Sequence, residues 1–137
     1  MTDDLGKSLQ MAADTWRAEF RREMVSRGFA AHDGAAGGVL LHLSPEGLSQ
    51  SELTTRVGLS KQAVQQLLDQ LEAQHYIHRL PDPTDKRAKR VLYSEFGQRE
   101  FAERQKVVAQ IEERIRDRLG KKLLGKLEKG LRRLGKP

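Results

Sequence analysis

The stretch that decides the fold runs from residue 48 to residue 77 and reads LSQSELTTRVGLSKQAVQQLLDQLEAQHYI. It contains two helix starts: Ser49 is followed three residues later by Glu52, and Ser60 opens a second run of periodic apolar residues. The Ser-x-x-Glu spacing is a capping box, in which each side chain bonds the other's free backbone N–H. Gly58 lies between the two runs and can adopt the left-handed conformation that ends a helix. The stretch therefore predicts a short helix, a glycine turn and a longer helix, which is a helix-turn-helix.

The longer helix, predicted over about residues 60–74, has one apolar and one polar face. Val64, Leu67, Leu68 and Leu71 fall at helical spacing and are predicted to be buried. The N-terminal part of such a helix can meet base edges in the DNA major groove, where a glutamine can bond bidentately to adenine. An ordinary solvated polar face remains the alternative interpretation. The predicted DNA contacts of this helix are Ser60, Lys61, Gln62, Ala63, Gln65 and Gln66.

A charged hairpin follows the helix-turn-helix. The runs YIHRL (76–80) and KRVLY (89–93) read as strands joined by the loop PDPTDKRA, so the segment predicts a wing over about residues 77–93. A narrow minor groove attracts an inserted arginine, and we predict that Arg87 enters it with its guanidinium held by Asp85. Alternatively, this ion pair stabilises only the turn. The predicted DNA contacts of the wing are Asp85, Lys86, Arg87, Lys89 and Arg90, with the last two and Lys86 along phosphates.

Long helices are predicted on both sides of this core. Residues 4–26 show a helical apolar repeat, and VLLHLS (39–44) is predicted to end a second helix. Ser94 begins a helix of about 25 residues, and a last helix carries a leucine stripe in a basic background. The segment from Arg114 to Pro137 contains ten lysines and arginines and two acidic residues, whereas the whole chain of 137 residues has a net charge of +6. Two glycines weaken the last helix, so it is expected to need a partner to stay folded.

Composition narrows the function classes. A basic balance indicates nucleic acid or an anionic membrane surface as a partner. The chain has no cysteine, which removes disulfides, thiolate catalysis and cysteine-based zinc sites. No apolar run approaches a membrane span and no signal core opens the sequence, so a cytoplasmic location without a membrane partner is expected. No nucleophile–base pair, carboxylate pair, phosphate loop or metal motif stands out, so we predict no enzyme activity, no cofactor and no metal site.

The segment GLSQSELTTRVGLSKQAVQQLLDQLEAQHYIHRLPDPTDKRAKRVLYSEFGQ resembles the winged-helix core of the MarR-type transcriptional regulators. The matching features are SELTTRVGLSKQAV, LDQLE, the pair YI, the wing DPTDKRA and the glycine after the second strand. The resemblance implies a mainly α fold with a small β-hairpin wing (α+β), that is, a winged helix-turn-helix core between long N- and C-terminal dimerisation helices. It divides the chain into residues 1–33, a DNA-binding lobe at 34–93, and residues 94–137.

Several expectations follow from this resemblance. Asp85 and Arg87 fill the wing's Asp-x-Arg, but the glutamines at the start of the recognition helix depart from the family pattern, so base preference does not transfer. The family also implies a homodimer on a near-palindromic operator, and a small phenolic or lipophilic effector. Candidate effector-lining residues are Trp16, Phe20, His42 and Tyr76. In the alternative interpretation, Trp16 and Phe20 belong to the dimer core and His42 is a partly buried, satisfied histidine.

The function predicted from these features is a sequence-specific transcriptional regulator of double-stranded DNA, a homodimeric repressor released by an effector. The alternative is a winged-helix protein-interaction or architectural DNA-binding module without a specific operator. In that case the C-terminal cations would bind nucleic acid loosely and the glutamine face would contact nothing.

Overall fold

The computed structural model describes residues 4–135, so the outermost residues of both predicted terminal segments lie outside it. The described chain is mainly helical with one small antiparallel sheet, as predicted. No helix within it is long and apolar enough to cross a bilayer. In chain order the elements are α1 (Leu5–Ser26), a 3-10 turn (Ala30–Asp33), α2 (Ala35–Leu40), β1 (Leu48–Ser49), α3 (Gln50–Val57), α4 (Lys61–Ala73), β2 (Ile77–Pro81), β3 (Lys89–Tyr93), α5 (Glu95–Leu119) and α6 (Lys121–Leu134).

The chain forms two compact units. One comprises Arg21–Arg104 and contains the helix-turn-helix and the wing. The other combines the segment up to Phe20 with the segment from Gln105 onward.

The local signals of the helix-turn-helix act as the sequence predicts, with one exception. The Ser49 hydroxyl accepts a hydrogen bond from the backbone N–H of Glu52, and Ser60 caps α4 in the same way through Ala63. Gly58 ends α3 at φ 76° and ψ 13°, the left-handed conformation that glycine adopts without strain. The exception is the Glu52 carboxylate, which accepts from Arg56 at 2.8 Å one turn along α3. Only the serine half of the predicted capping box is therefore formed.

The sheet has three strands in the order β1-β3-β2, all antiparallel. In the predicted hairpin Ile77 pairs with Tyr93 and Pro81 with Lys89, so β2 starts and ends one residue later than predicted. The two-residue β1 pairs Leu48 with Val91 and was not predicted from the sequence. Because β1 leads directly into α3, it fastens the start of the helix-turn-helix to the wing.

One face of α4 is buried in the apolar core of the Arg21–Arg104 unit. Val64, Leu68 and Leu71 are fully buried, whereas Leu67 is half-buried. Leu53 of α3 and Val91 of β3 are fully buried in the same unit. The run VLLHLS contributes only its first two residues to a helix, because α2 ends at Leu40.

A buried polar cluster joins distant parts of this unit. Glu100 is fully buried and accepts two hydrogen bonds from Arg104, at 2.9 and 3.1 Å, and contacts Nε2 of His32 at 2.8 Å. Arg104 also donates to the Tyr93 hydroxyl at 2.8 Å, and that hydroxyl shares its one hydrogen between the carbonyls of Leu43 at 2.7 Å and Leu40 at 3.1 Å. Burial raises the pKa of Tyr93 against the opposing effect of Arg104. The cluster therefore links α2 and the following loop, β3 and the first turns of α5.

The second unit is built from helical segments. The rings of Trp16 and Phe20 stack at 5.1 Å, and Arg114 pairs with Glu19 at 2.9 Å. In α6 only Leu124 is buried among the described residues. The other four leucines of the predicted stripe are 42–65% exposed; they are Leu123, Leu127, Leu131 and Leu134. The predicted stripe is thus present as an apolar face of the protomer.

Candidate nucleic-acid interface

A groove of about 520 Å³ lies between α3, the start of α4 and the tip end of the wing. Three cations from two elements line it, together with hydroxyl and amide groups of α3 and α4. Its lining residues are Gln50, Ser51, Thr54, Thr55, Lys61, Gln65, Arg87, Ala88 and Lys89. This concave surface is basic and rich in hydrogen-bonding groups, which suits the phosphates and base edges of a duplex.

The start of α4 presents the predicted polar face. Lys61, Gln62 and Gln66 are exposed, and Gln65 is half-buried at the groove. Ser60 and Ala63 form the N-cap, so their contribution is to fix the beginning of the helix. The free N–H groups of a helix start favour a nearby phosphate. The structure thus assembles the predicted residues of α4 on one end of the helix.

Gln65 lies in a relay of hydrogen bonds that crosses three elements. Gln50 of α3 donates to Oε1 of Gln65 at 2.5 Å, and Nε2 of Gln65 donates to Asp69 at 3.0 Å. Arg79 of β2 donates to Asp69 at 2.5 Å and to Glu72 at 2.8 Å. The relay connects α3, the recognition face of α4 and the first strand of the wing.

Arg79 is the charged end of this relay. Only 8% of its side chain is exposed. Burial alone would lower the pKa of Arg79, but hydrogen bonds from the guanidinium to Glu72 and Asp69 and their charges raise it. The hydrogen bond from Arg79 is the main cause that lowers the pKa of both carboxyl groups. The three groups therefore stay ionised at neutral pH and hold β2 against α4.

The wing tip is organised by hydrogen bonds to its backbone. Asp85 accepts from the backbone N–H of Arg87 at 3.0 Å, and Ala88 donates its N–H to the Asp85 carbonyl. Asp82 accepts from the N–H and the hydroxyl of Thr84, which lowers the pKa of Asp82. The prediction that Asp85 holds the Arg87 guanidinium is wrong in this structure: Asp85 fixes the Arg87 backbone. Arg87 is an exposed residue, and its guanidinium is not the group that Asp85 binds. The turn brings the backbone N–H of Arg87 to the Asp85 carboxylate instead.

The remaining wing cations differ in their environment. Lys86 and Lys89 are exposed, and Lys89 lines the groove. Arg90 is half-buried, and its guanidinium donates to the carbonyls of Glu46 and Gly47 at 3.0 and 3.3 Å. Those bonds fasten the loop before β1 to the return strand. Arg90 therefore has a structural role in the free protomer that the sequence analysis did not predict.

The sequence analysis missed the contribution of α3 to the groove. Gln50, Ser51, Thr54 and Thr55 all line it. The sequence could have predicted this contribution, because the first helix of a helix-turn-helix crosses the DNA backbone. The four residues also lie at spacings of one, three and four, which places them on one face of α3. Thr54 and Thr55 donate their hydroxyls to carbonyls one turn back, which leaves their oxygens able to accept.

The four candidate effector residues have different surroundings. Within the Arg21–Arg104 unit, Tyr76 is buried, packs on Phe96 at 4.8 Å and accepts a hydrogen bond from the N–H of Ala31. His42 is exposed rather than partly buried. In the other unit Trp16 is half-buried and stacked on the buried Phe20. No group of three or more potential metal-binding side chains converges within residues 4–135.

The helix-turn-helix, the hairpin and the basic groove between them define a winged helix-turn-helix protein. Residues 23–88 match the model of the MarR family, and the resemblance of the sequence to that family is thereby confirmed over this stretch. No match was found among curated proteins.

Solved structures share the fold over nearly the whole chain. The transcriptional repressor CouR, bound to a 23-mer DNA duplex, has a TM-score of 0.77 and 26% identity over 97% of this chain and 93% of that chain. The transcriptional regulator PA3341 has a TM-score of 0.76 and 26% identity over 96% and 95%. A mutant of MarR from E. coli complexed with operator DNA has a TM-score of 0.77 and 20% identity over 96% and 94%, which shows the fold alone.

Proposed function

We propose that this chain is a sequence-specific DNA-binding transcriptional regulator that acts as a homodimeric repressor on a near-palindromic operator. The observation that carries the proposal is the convergence of Lys61, Gln65, Arg87 and Lys89 on one groove. A basic concave surface beside an exposed, capped helix start has the charge and the shape to receive a duplex. The DNA duplex named for CouR, whose fold this chain shares, supports the same assignment.

In this proposal each element of the groove has a distinct role. The start of α4 enters the major groove, where Gln62, Gln65 and Gln66 meet base edges. Arg87 at the wing tip enters the flanking minor groove, where a narrow A/T-rich segment concentrates negative potential. Lys61, Lys86 and Lys89 contact phosphates, as do hydroxyl groups of α3.

Dimerisation is supported by the exposed leucines of α6 and by the resemblance to the MarR family. Four leucines of α6 are exposed on the protomer, and burial against a second copy would remove them from water. Two recognition helices would then read half-sites about one helical turn apart, which corresponds to about 34 Å. Occupation of a promoter by such a dimer is the basis of the proposed repression.

Release by a small hydrophobic or phenolic effector completes the proposal. An effector can shift the protein away from its DNA-bound form only if it binds the other form more tightly. Trp16, Phe20, His42 and Tyr76 remain the candidate contacts. Of these four residues His42 is exposed, whereas Tyr76 is buried in the core of the Arg21–Arg104 unit.

A genomic-fragment binding selection tests the proposal. We expect the full chain to enrich fragments that share a near-palindromic sequence, and repetition with a panel of small hydrophobic acids to reduce that enrichment for an active effector. The salt dependence of affinity should match several phosphate contacts per protomer. Enrichment without a shared sequence would favour the alternative, an architectural module that binds DNA without an operator.

A further inference from the structure

The amide of Gln65 is hydrogen-bonded on both sides before any DNA arrives. Its oxygen accepts from Gln50 and its nitrogen donates to Asp69. Gln62 and Gln66 lie on exposed turns of the same helix and have no such bonds within residues 4–135. Among the three glutamines proposed to meet base edges, Gln65 is thus the one whose side chain the fold already holds.

The direction of these bonds is set by charge. An ionised carboxylate only accepts hydrogen bonds, so Asp69 requires the NH2 group of Gln65 on its side. The oxygen of Gln65 then faces Gln50, which must present its own NH2 group. A flip of either amide would place two oxygens together. Arg79 of β2 donates to the same Asp69 carboxylate, so the orientation of the Gln65 amide is anchored to the wing strand β2.

These contacts leave one N–H and one acceptor position free on the Gln65 amide. This is the pair that adenine requires in the major groove, where N6 donates and N7 accepts. We propose that Gln50 and Asp69 are positioning residues that fix the Gln65 amide in one orientation. Base selectivity at one base pair of each half-site then depends on Gln50. This inference rests on the proposed DNA-binding function and extends it to a residue outside the recognition helix.

Gln50 can be changed with little risk to the fold. Its own side-chain oxygen is buried and finds no partner among residues 4–135. Gln50→Leu removes that unsatisfied acceptor together with the NH2 group that bonds Gln65, and it keeps a side chain of similar size. Thermal unfolding of the variant should therefore stay close to that of the parent chain.

The test combines a randomised-duplex selection with affinity measurements on single-base variants of the selected site. The variants are Gln50→Leu, Gln65→Ala and the double variant, each as the full chain. We expect both single variants to lower discrimination at the same base pair by roughly five- to tenfold, and the double variant to lower it no further than Gln65→Ala does. Gln62→Ala is the control, since its effect should fall on another base pair and add to that of Gln50→Leu.

Several outcomes would overturn the proposal. An unchanged preference in Gln50→Leu, or in Gln65→Ala, would remove the link between them. Additive losses in the double variant would mean that Gln50 meets a base itself. An equal loss of affinity on every sequence would indicate a phosphate contact. Failure of the parent chain to select any sequence would instead contradict the proposed function, so the two failures are distinguishable.

Discussion

Arg87 shows how a single side chain is prepared by its own turn. Asp85 and the backbone of Ala88 define the tip of the wing, and the Arg87 guanidinium is left to project from an exposed position. A turn ordered in advance loses less conformational entropy when the side chain it carries is bound. Among residues 4–135 no side chain is bonded to the Arg87 guanidinium, so DNA would not have to displace one of them.

Arg87→Ala should weaken binding to the selected operator by about 1–2 kcal/mol, which is roughly tenfold, and weaken binding to random duplex DNA much less. The reason is that a minor-groove arginine reads groove width, which varies with sequence. Fluorescence anisotropy on both duplexes measures the difference. Arg22→Ala, an exposed arginine of α1, is the control. Equal losses on both duplexes would contradict a sequence-dependent contact.

Arg104, in contrast to the exposed Arg87, is a buried cation whose guanidinium is hydrogen-bonded within the protein. Burial alone would lower the pKa of Arg104, but its bonds to Glu100 and the charge of that group raise it. Arg104→Leu would leave Glu100 fully buried without its main counter-charge. We expect a loss of about 3–5 kcal/mol in the free energy of unfolding, measured by urea denaturation.

The double variant Glu100→Leu/Arg104→Leu serves as the control for that experiment. It removes both charges together, so it should be more stable than Arg104→Leu alone. If the single variant unfolds at the same urea concentration as the parent chain, the buried cluster contributes nothing to stability and our interpretation of it fails.

The contact between α5 and Tyr76, the residue before β2, depends on a glycine. A Cβ atom at Gly97 would lie 2.0 Å from the carbonyl oxygen of Tyr76, which is backbone and cannot easily move away. Gly97→Ala should therefore destabilise the protein by at least about 2 kcal/mol. Gly130→Ala in α6 is the matched control, because nothing lies within 4 Å of its Cβ position and alanine should add about 0.5–1 kcal/mol. Urea unfolding of both variants measures the contrast, and similar midpoints would contradict it.

The junction of α4 and β2 should be sensitive to acid. Arg79 lowers the pKa of Asp69 and Glu72 below their ordinary values of 3.8 and 4.5. A lowered pKa in the folded state contributes stability above those ordinary values, and that contribution is lost as the pH falls through the lowered pKa. The free energy that Arg79 supplies should thus be present at pH 6 and decline below about pH 4.5.

Unfolding measured from pH 6 to pH 3 checks this expectation. The difference in stability between the parent chain and Arg79→Met should shrink as the pH falls. Arg56→Met is the control, because Arg56 pairs with Glu52 where both side chains are about half exposed and such pairs contribute little. A difference that stays constant over this range would show that Arg79 acts through packing and not through charge.

The proposed homodimer depends on α6. Its exposed leucines form the apolar face that a second copy would cover. Leu127→Glu combined with Leu131→Glu should produce monomers in sedimentation experiments. Affinity for the full operator should fall by at least about 100-fold while affinity for one half-site is kept, because the two protomers no longer bind as one unit.

The control is Lys122→Glu combined with Lys129→Glu. It also introduces two glutamates into α6, but on the polar side of the helix, and should leave the dimer intact. Dissociation by both pairs of substitutions would point to a general effect of charge on the helix. A dimer that survives Leu127→Glu/Leu131→Glu would contradict the proposed interface.

Local signals in the sequence determined most of the secondary structure. Ser49, Ser60 and Ser94 begin helices because a side-chain oxygen accepts from a nearby free N–H, and Gly58 ends one because it tolerates a positive φ. These effects act over three or four residues, so they can be read from neighbouring letters. The helix-turn-helix follows from them, and the wing follows from its two short strand runs and the charged loop between them.

Only the folded chain decided which partner each polar group takes. Asp85 bonds a backbone N–H and not a guanidinium, Arg90 bonds loop carbonyls 43 and 44 residues away, and Glu100 meets His32 across 68 residues. The relay through Gln50, Gln65, Asp69 and Arg79 likewise needs three elements in contact. Sequence spacing carries no information on such distances, because hydrogen bonds depend on geometry within about 3 Å that packing alone establishes.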